Sequence, residues 1–207
     1  MTQPAQPIRL HGFQLSGHSH RVELFLNLLG LPYQFIAVNL AGGEHLQSKF
    51  LPLNPFGQVP VIEDGAVTLA DSNAILVYLA QVYDPARRWL PADPLRQAQI
   101  QRWLSVAAGD LAFGPALARI IRLFKRPADM VQAQAVAHRL LQRLEAQLGA
   151  NGWLVGDMPS IADLALYSYT ARAPEGDVTL EDFPAIRAWL NRVEALPRFH
   201  PMPRATS

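Results

Sequence analysis

The stretch NPFGQVPVIEDG, residues 54–65, constrains the fold more than any other part of the chain. It sets Pro60 directly before the apolar pair Val61-Ile62 and closes that run with Asp64-Gly65. Asp-Gly between two apolar runs is a strong signal for a tight hairpin, so residues 61–63 and 67–69 are expected to pair. Proline has no N–H for a ladder and belongs at strand starts, edges and bulges. An X-Pro bond is also where a cis peptide is least costly, about 0.5–1 kcal/mol. Pro60 therefore either begins a strand or shapes backbone for a ligand.

The surrounding pattern is mixed α/β. Residues 8–10 form a short apolar run ended by Gly12. Apolar residues then recur from His20 to Leu29 as a mostly apolar helix, closed by Gly30 and Pro32. YQFIAVNL (33–40) is rich in aromatic and branched residues and reads as a second strand. After the hairpin, residues 71–83 carry Ile75, Leu76, Leu79 and Val82 at helical spacing, with Asp71 or Ser72 as N-cap. The expected order is strand, helix, strand, a less defined helical segment, hairpin, helix. Residues 84–95 are proline-rich and read as a linker. Every long segment beyond it is helical: 97–113 with a bend or break at Gly114-Pro115, then 128–148, 160–172 and 182–196. The expected division is a domain at 1–83, a linker at 84–95 and an all-helical domain at 96–207.

Composition narrows the chemistry. The chain has 207 residues, no cysteine, and 18 Lys plus Arg against 17 Asp plus Glu. Without cysteine there is no disulfide framework, thiolate metal site or cysteine nucleophile in the protein. The near-neutral balance argues against nucleic acid as a partner. The basic run Arg119, Arg122, Lys125 and Arg126 reads as a solvated helix face. The N-terminus lacks the layout of a signal peptide, and no uninterrupted apolar run of 18 residues exists. The expectation is a soluble, cytoplasmic chain with no membrane partner.

Four places carry candidate chemistry. LSGHSHRV (15–22) puts Ser16, His18, Ser19 and His20 at a helix N-terminus, where unpaired N–H groups favour an anion; a serine there can also simply cap the helix. Those histidines lack metal-ligand company, so no metal is expected. The second place is Gln58-Val59-Pro60. The third is Asp71-Ser72, where N–H groups and a hydroxyl can hold a carboxylate while Asp71 holds an amine. The fourth, SIAD at 160–163, is a capping box with a structural role.

Taken in this order, residues 15–83 and 153–169 resemble the glutathione S-transferase family. LSGHSHRVELFLNLLGLPYQF looks like that family's first strand-to-helix turn. NPFGQVPVIEDG followed by LADSNAILVYLA is its most recognisable stretch, and GWLVGDMPSIADLALY is similar to its C-terminal capping-box segment. The resemblance implies a thioredoxin-like N-terminal domain (βαβ then ββα) that binds glutathione, and an all-helical C-terminal domain that supplies most of the second-substrate pocket. It implies that Pro60 is cis and that the N–H and C=O of Val59 face the ligand, pairing with it as an added strand would. It gives Asp71 and Ser72 to the γ-glutamyl end, Gln58 to the glycine carboxylate, and His45 to a further glutathione contact.

The thiol then belongs to the co-substrate. A free thiol has a pKa near 8.5, so only a few per cent is thiolate at neutral pH; lowering it by about two units makes thiolate the majority species. Ser16, six residues before Val22, resembles the catalytic serine of theta- and zeta-like members, with His18 near the sulfur and Ser19 as a rival. Gly17 and His18 stand where the zeta motif has a serine and a cysteine, which weakens an isomerase assignment of that kind. The expected activity is glutathione transfer to a small hydrophobic electrophile, or related glutathione-dependent chemistry. The alternative is a non-catalytic binding or regulatory protein on the same fold. The resemblance further implies a homodimer, with Phe56 either locking into a partner or packing locally. Trp103, Phe113, Leu117 and Tyr167 are expected to line the electrophile pocket.

Overall fold

The computed structural model describes residues 3–205. The chain forms two compact units: one runs to Arg87 and takes up the chain again from Pro197, and the other is Arg88–Leu196. The sequence pattern puts the last stretch in the helical domain; in the structure it joins the first unit.

The first unit is built on a four-stranded sheet of order β2-β1-β3-β4. Strand β1 (Ile8–Gly12) leads to helix α1 (Gly17–Leu29) and parallel strand β2 (Tyr33–Ala37), a βαβ unit. The hairpin β3 (Val61–Asp64) and β4 (Val67–Ala70) is antiparallel, with β3 also antiparallel to β1. Helix α2 (Ser72–Tyr83) completes the thioredoxin-like arrangement and packs on α1. Ile8, Leu10, Val22, Phe25, Ile62, Ile75 and Leu79 are fully buried, and each such side chain contributes about 1.5–3 kcal/mol. A second apolar cluster of Val38, Phe50 and Val61, with Val59 and Ala70 against it, fastens the long β2–β3 connection to the sheet.

Two local features differ from expectation, and a third separates two open readings. Helix α1 starts at Gly17, not at residue 20: Gly, His and Ser are weak helix formers, and the start is fixed by Ser16 as N-cap. The helical segment expected before the hairpin is a single 3₁₀ turn, Glu44–Leu46. There Gly42 N–H donates to Asn39 Oδ1 and Asn39 N–H to Glu44 Oε2, turns that compete with helix. Phe56, one of whose readings is local packing, is 83% exposed.

The second unit is helical: α3 (Pro94–Ala108), α4 (Leu117–Phe124), α5 (Met130–Asn151), α6 (Ile161–Ala171) and α7 (Pro184–Glu194). Between α3 and α4 the chain makes a π turn, Ala112–Ala116, around Pro115. Proline cannot donate to the carbonyl four residues back and its ring crowds that carbonyl, so the helix widens instead of breaking. Taken together, Pro94–Phe124 is long and apolar enough to cross a membrane by length and composition, with 44% of its most apolar window buried.

Asp163 knits this unit together. Its carboxylate accepts from Ser160 N–H and Leu154 N–H, from the Ser160 hydroxyl, and from Trp189 Nε1 at 3.0 Å. The SIAD capping box is present, and the same carboxylate ties α6 to α7. Burial raises the Asp163 carboxyl above its ordinary range, and the four donors pull the other way. The basic run is not a solvated face throughout, because a partner from elsewhere in the chain draws one of its arginines inside. Arg119 is buried and donates from Nε to Glu175 at 2.6 Å, while Arg122 pairs with Asp177 at 3.3 Å.

Candidate active site

The register of the sheet decides where the chemistry collects. His11 pairs with Val61 and Val61 with Ala70, while Gly12 pairs with Ala37. The chain therefore leaves β1 toward Ser16, leaves β2 toward His45, enters β3 from Gln58-Val59-Pro60 and leaves β4 into Asp71-Ser72, all at one end of the sheet. Residues far apart in sequence emerge there on rigid elements.

The first turn of α1 is tightly held. Ser16 N–H donates to Phe13 O at 2.8 Å, and Ser16 Oγ accepts from Ser19 N–H at 3.3 Å. The Ser16 oxygen is thus used as an acceptor, which leaves its own proton to donate outward. Ser19 is buried, and its Oγ accepts from Phe13 N–H at 3.1 Å. The cap and the neighbouring turn are therefore made by two different serines.

Beneath them lies Arg21, a fully buried cation. Its Nη1 donates to Ser72 Oγ at 3.3 Å and to Asn73 Oδ1 at 2.9 Å, which joins α1 to the start of α2. Ser72 Oγ lies 3.4 Å from His18 Nδ1. Ser72 Oγ thus bridges the Arg21 guanidinium and the His18 ring, with the direction of the Ser72–His18 bond set by the imidazole tautomer. Burial, with the nearby Arg21 charge adding to it, lowers the His18 pKa to about 3, so this ring is neutral at physiological pH.

Asp71 is the N-cap of α2. One oxygen, Oδ1, accepts from Asn73 N–H and Ala74 N–H, both at 2.9 Å, and Oδ2 takes no part in the cap. Its backbone has φ of 69°, a left-handed region that costs a non-glycine residue about 1–3 kcal/mol. Asp71 is exposed, and its cap bonds to Asn73 and Ala74 tie this backbone to the first turn of α2.

The Val59-Pro60 peptide is cis. Among the described residues, neither the N–H nor the C=O of Val59 enters the backbone bonding of the sheet or its turns, although its side chain packs in the second apolar cluster. A buried asparagine sets this loop: Asn54 Nδ2 donates to Gln58 O at 2.8 Å, and Asn54 Oδ1 accepts from Phe56 N–H. Gly57 has φ of 59°, and a Cβ there would lie 3.0 Å from His45 O, so the loop sits directly on the His45 turn. His45 is half-buried, and its Nδ1 has no hydrogen-bond partner among the described residues.

Residues 15–82 match the family model of the glutathione S-transferase N-terminal domain, and residues 108–197 that of its C-terminal domain. The chain belongs to the glutathione S-transferase family. It is 34% identical over 200 residues to maleylacetoacetate isomerase of Pseudomonas aeruginosa, covering 93% of each chain. A solved glutathione S-transferase from Pseudomonas fluorescens superposes with a TM-score of 0.90 at 36% identity, covering 95% of this chain and 99% of that one. A glutathione transferase homologue from Drosophila mojavensis, solved with bound glutathione, gives 0.82 at 28%, covering 92% and 89%.

For this transferase-family chain, the structure links Ser16, His18, Asp71 and Ser72 through Arg21 and the two helix starts. It links His45 to residues 57–58 through Gly57. The electrophile candidates divide: Trp103 and Tyr167 are buried, Leu117 is half-buried and Phe113 is 64% exposed. Sequence reasoning missed Arg21 and Asn54. Only the letters NPFG around a turn could have pointed to Asn54, whereas nothing distinguishes a buried arginine from a solvated one by its letter alone.

Proposed function

We propose that this chain is a glutathione transferase that holds the glutathione thiol as thiolate at the N-terminus of α1 and directs it at a small hydrophobic electrophile. The observation that carries this reading is the state of Ser16. Its oxygen already accepts from Ser19 N–H, so its proton is available to a sulfur anion. The unpaired N–H groups and dipole of α1 add positive potential at the same point, which lowers a thiol pKa. Attack forms the carbon–sulfur bond as the bond to the electrophile's leaving group breaks, halide departing as the anion from an aryl halide; the thiol proton has left beforehand to solvent.

The peptide of glutathione is read by backbone and by the α2 start. The open N–H and C=O of Val59 support strand-like pairing with its cysteinyl residue. Asp71 Oδ2 and the Ser72 hydroxyl suit the γ-glutamyl amine and carboxylate, while Gln58 and the half-buried His45 ring suit the glycine end. Conjugation requires no metal ion and no nucleic acid or membrane partner. The natural setting of this reading is a cytoplasmic detoxifying homodimer. The 83% exposure of Phe56 supports a partner contact, and an apolar-floored groove of about 540 Å³ between α3 and α5, with Trp103 and Leu140 in it, is of the right kind to take one.

Similarity to a maleylacetoacetate isomerase favours a second reading, in which the thiolate adds to a conjugated unsaturated diacid and leaves again after bond rotation. Gly17 and His18, in place of the zeta-type serine and cysteine, weigh against it. Assaying the purified chain with glutathione and, separately, an aryl halide and maleylacetoacetate tests the choice. Conjugate formation supports the first reading; isomer without conjugate replaces it by the second.

A further inference from the structure

The extreme C-terminal segment, PRFHPMPRA at 197–205, has no place in the mechanism above, yet it belongs to the glutathione-binding unit. Three of its nine residues are prolines, which stiffen a chain into an extended form at low entropic cost. Three contacts fix it along α1. The His20 Nε2 and the His200 carbonyl oxygen are 2.9 Å apart, with the His20 ring buried. The Arg198 guanidinium lies against Gly30, the left-handed cap that ends α1, so closely that a Cβ on Gly30 would be 1.7 Å from Nη1. Met202 is buried, and the His200 ring approaches Glu23 at 3.9 Å. Glu23 in turn accepts from the Tyr33 hydroxyl of β2.

These contacts span both ends of α1. The one at the front matters for chemistry. His20 N–H makes the first helical bond of α1, to Ser16 O at 2.9 Å, and the preceding N–H, of Ser19, is the donor to Ser16 Oγ. Holding the His20 side chain from the far side fixes the turn on which the Ser16 hydroxyl is mounted. Geometry at this point is expensive to lose, because a donor must sit within a few tenths of an ångström of where the anion forms.

We propose that residues 197–205 are a strap that positions the first turn of α1 for thiol activation, with His20 as the positioning residue through its bond to the His200 carbonyl. The proposal rests on the reading of Ser16 given above. It predicts that loosening the strap weakens thiolate formation more than it weakens glutathione binding.

The test compares the full-length wild type with His20→Phe, which keeps the ring volume but loses the nitrogen, and His20→Gln, whose amide N–H can reach the same carbonyl. Met202→Ala, which loosens the strap without changing any residue of α1, covers the case where His20→Phe does not fold. Each is measured three ways: the pKa of bound glutathione by thiolate absorbance, the affinity for S-methylglutathione, and hydrogen exchange of the Ser19 and His20 amides. The expected result is a rise in the bound-thiol pKa of about half a unit or more in His20→Phe, which lowers the thiolate about threefold at pH values well below that pKa, with affinity changed less than about twofold. Exchange at the two amides rises at least about tenfold, and His20→Gln restores both. Met202→Ala moves the same readouts in the same direction. An unchanged thiol pKa in the folded variants overturns the proposal, even where thermal stability falls. A wild type that does not lower the thiol pKa at all sinks the Ser16 reading instead, and the strap is then judged by the exchange rates alone: unchanged rates overturn it.

Discussion

Arg21 and Asn73 are joined by a 2.9 Å hydrogen bond from Nη1 to Oδ1, so the first turns of α1 and α2 share one buried guanidinium. The two helix starts that the family reading assigns to the thiol and to the γ-glutamyl group therefore cannot move independently. Arg21→Leu keeps most of the volume but strips Ser72 and Asn73 of their donor. It is expected to cost about 2–4 kcal/mol, the usual loss when buried polar groups lose a charged partner. Urea unfolding measures that cost, and glutathione affinity, read by calorimetry, should fall at least about fivefold alongside it.

Gly57→Ala tests the contact between the Val59 loop and the His45 turn. Its positive φ strains any other residue, and the new methyl meets His45 O at 3.0 Å. We expect about 1–2 kcal/mol of destabilisation and a several-fold weaker binding of glutathione. Gly43→Ser is the control: the φ of 70° at that position brings the same backbone strain, but nothing lies within 4 Å of an added Cβ, so affinity there should hold.

His18 gives a pH signature. Its folded pKa is about 3, against 6.5 when unfolded, so between those values the unfolded chain binds the extra proton. The neutral ring's contribution to stability is complete above pH 6.5 and is lost as pH falls toward 3. The wild-type urea midpoint should therefore drop further between about pH 7.5 and 5 than that of His18→Gln, which carries no titrating ring. Equal drops would contradict the assignment of a neutral, half-buried imidazole.

Asp163→Ala removes four acceptor contacts at once, leaving Ser160 N–H, Leu154 N–H and Trp189 Nε1 without their partner. Loss on this scale costs about 3 kcal/mol or more. Tryptophan fluorescence during urea unfolding, to which Trp189 contributes, reports it, with an earlier transition expected than in the wild type.

Much of this is legible because it is written in local chemistry. Asp64-Gly65 turns the hairpin, Asp71 caps α2 and Ser160 with Asp163 forms a capping box, each from a residue type whose side chain acts within a few positions of itself. What stays hidden depends on distant partners. Arg21 and Arg119 are buried only because Asn73 and Glu175 reach them from elsewhere in the chain. The strap at 197–205 looks like a loose proline-rich end until His20 takes its carbonyl. The start of α1 escapes for a related reason: Gly17, His18 and Ser19 have weak helix propensity, and the cap and the burial of that turn outweigh it.

Ser16→Ala decides whether the Ser16 hydroxyl is the donor to the glutathione sulfur. The measurement is the pKa of bound glutathione by thiolate absorbance, with calorimetry establishing that the variant still binds. Loss of the hydroxyl should raise that pKa by about one to two units while affinity changes less than about threefold, and kcat/KM near neutral pH should fall roughly ten- to a hundredfold. A variant that binds glutathione and ionises it as the wild type does would contradict the account, and the search for the donor would move to His18 and Ser19.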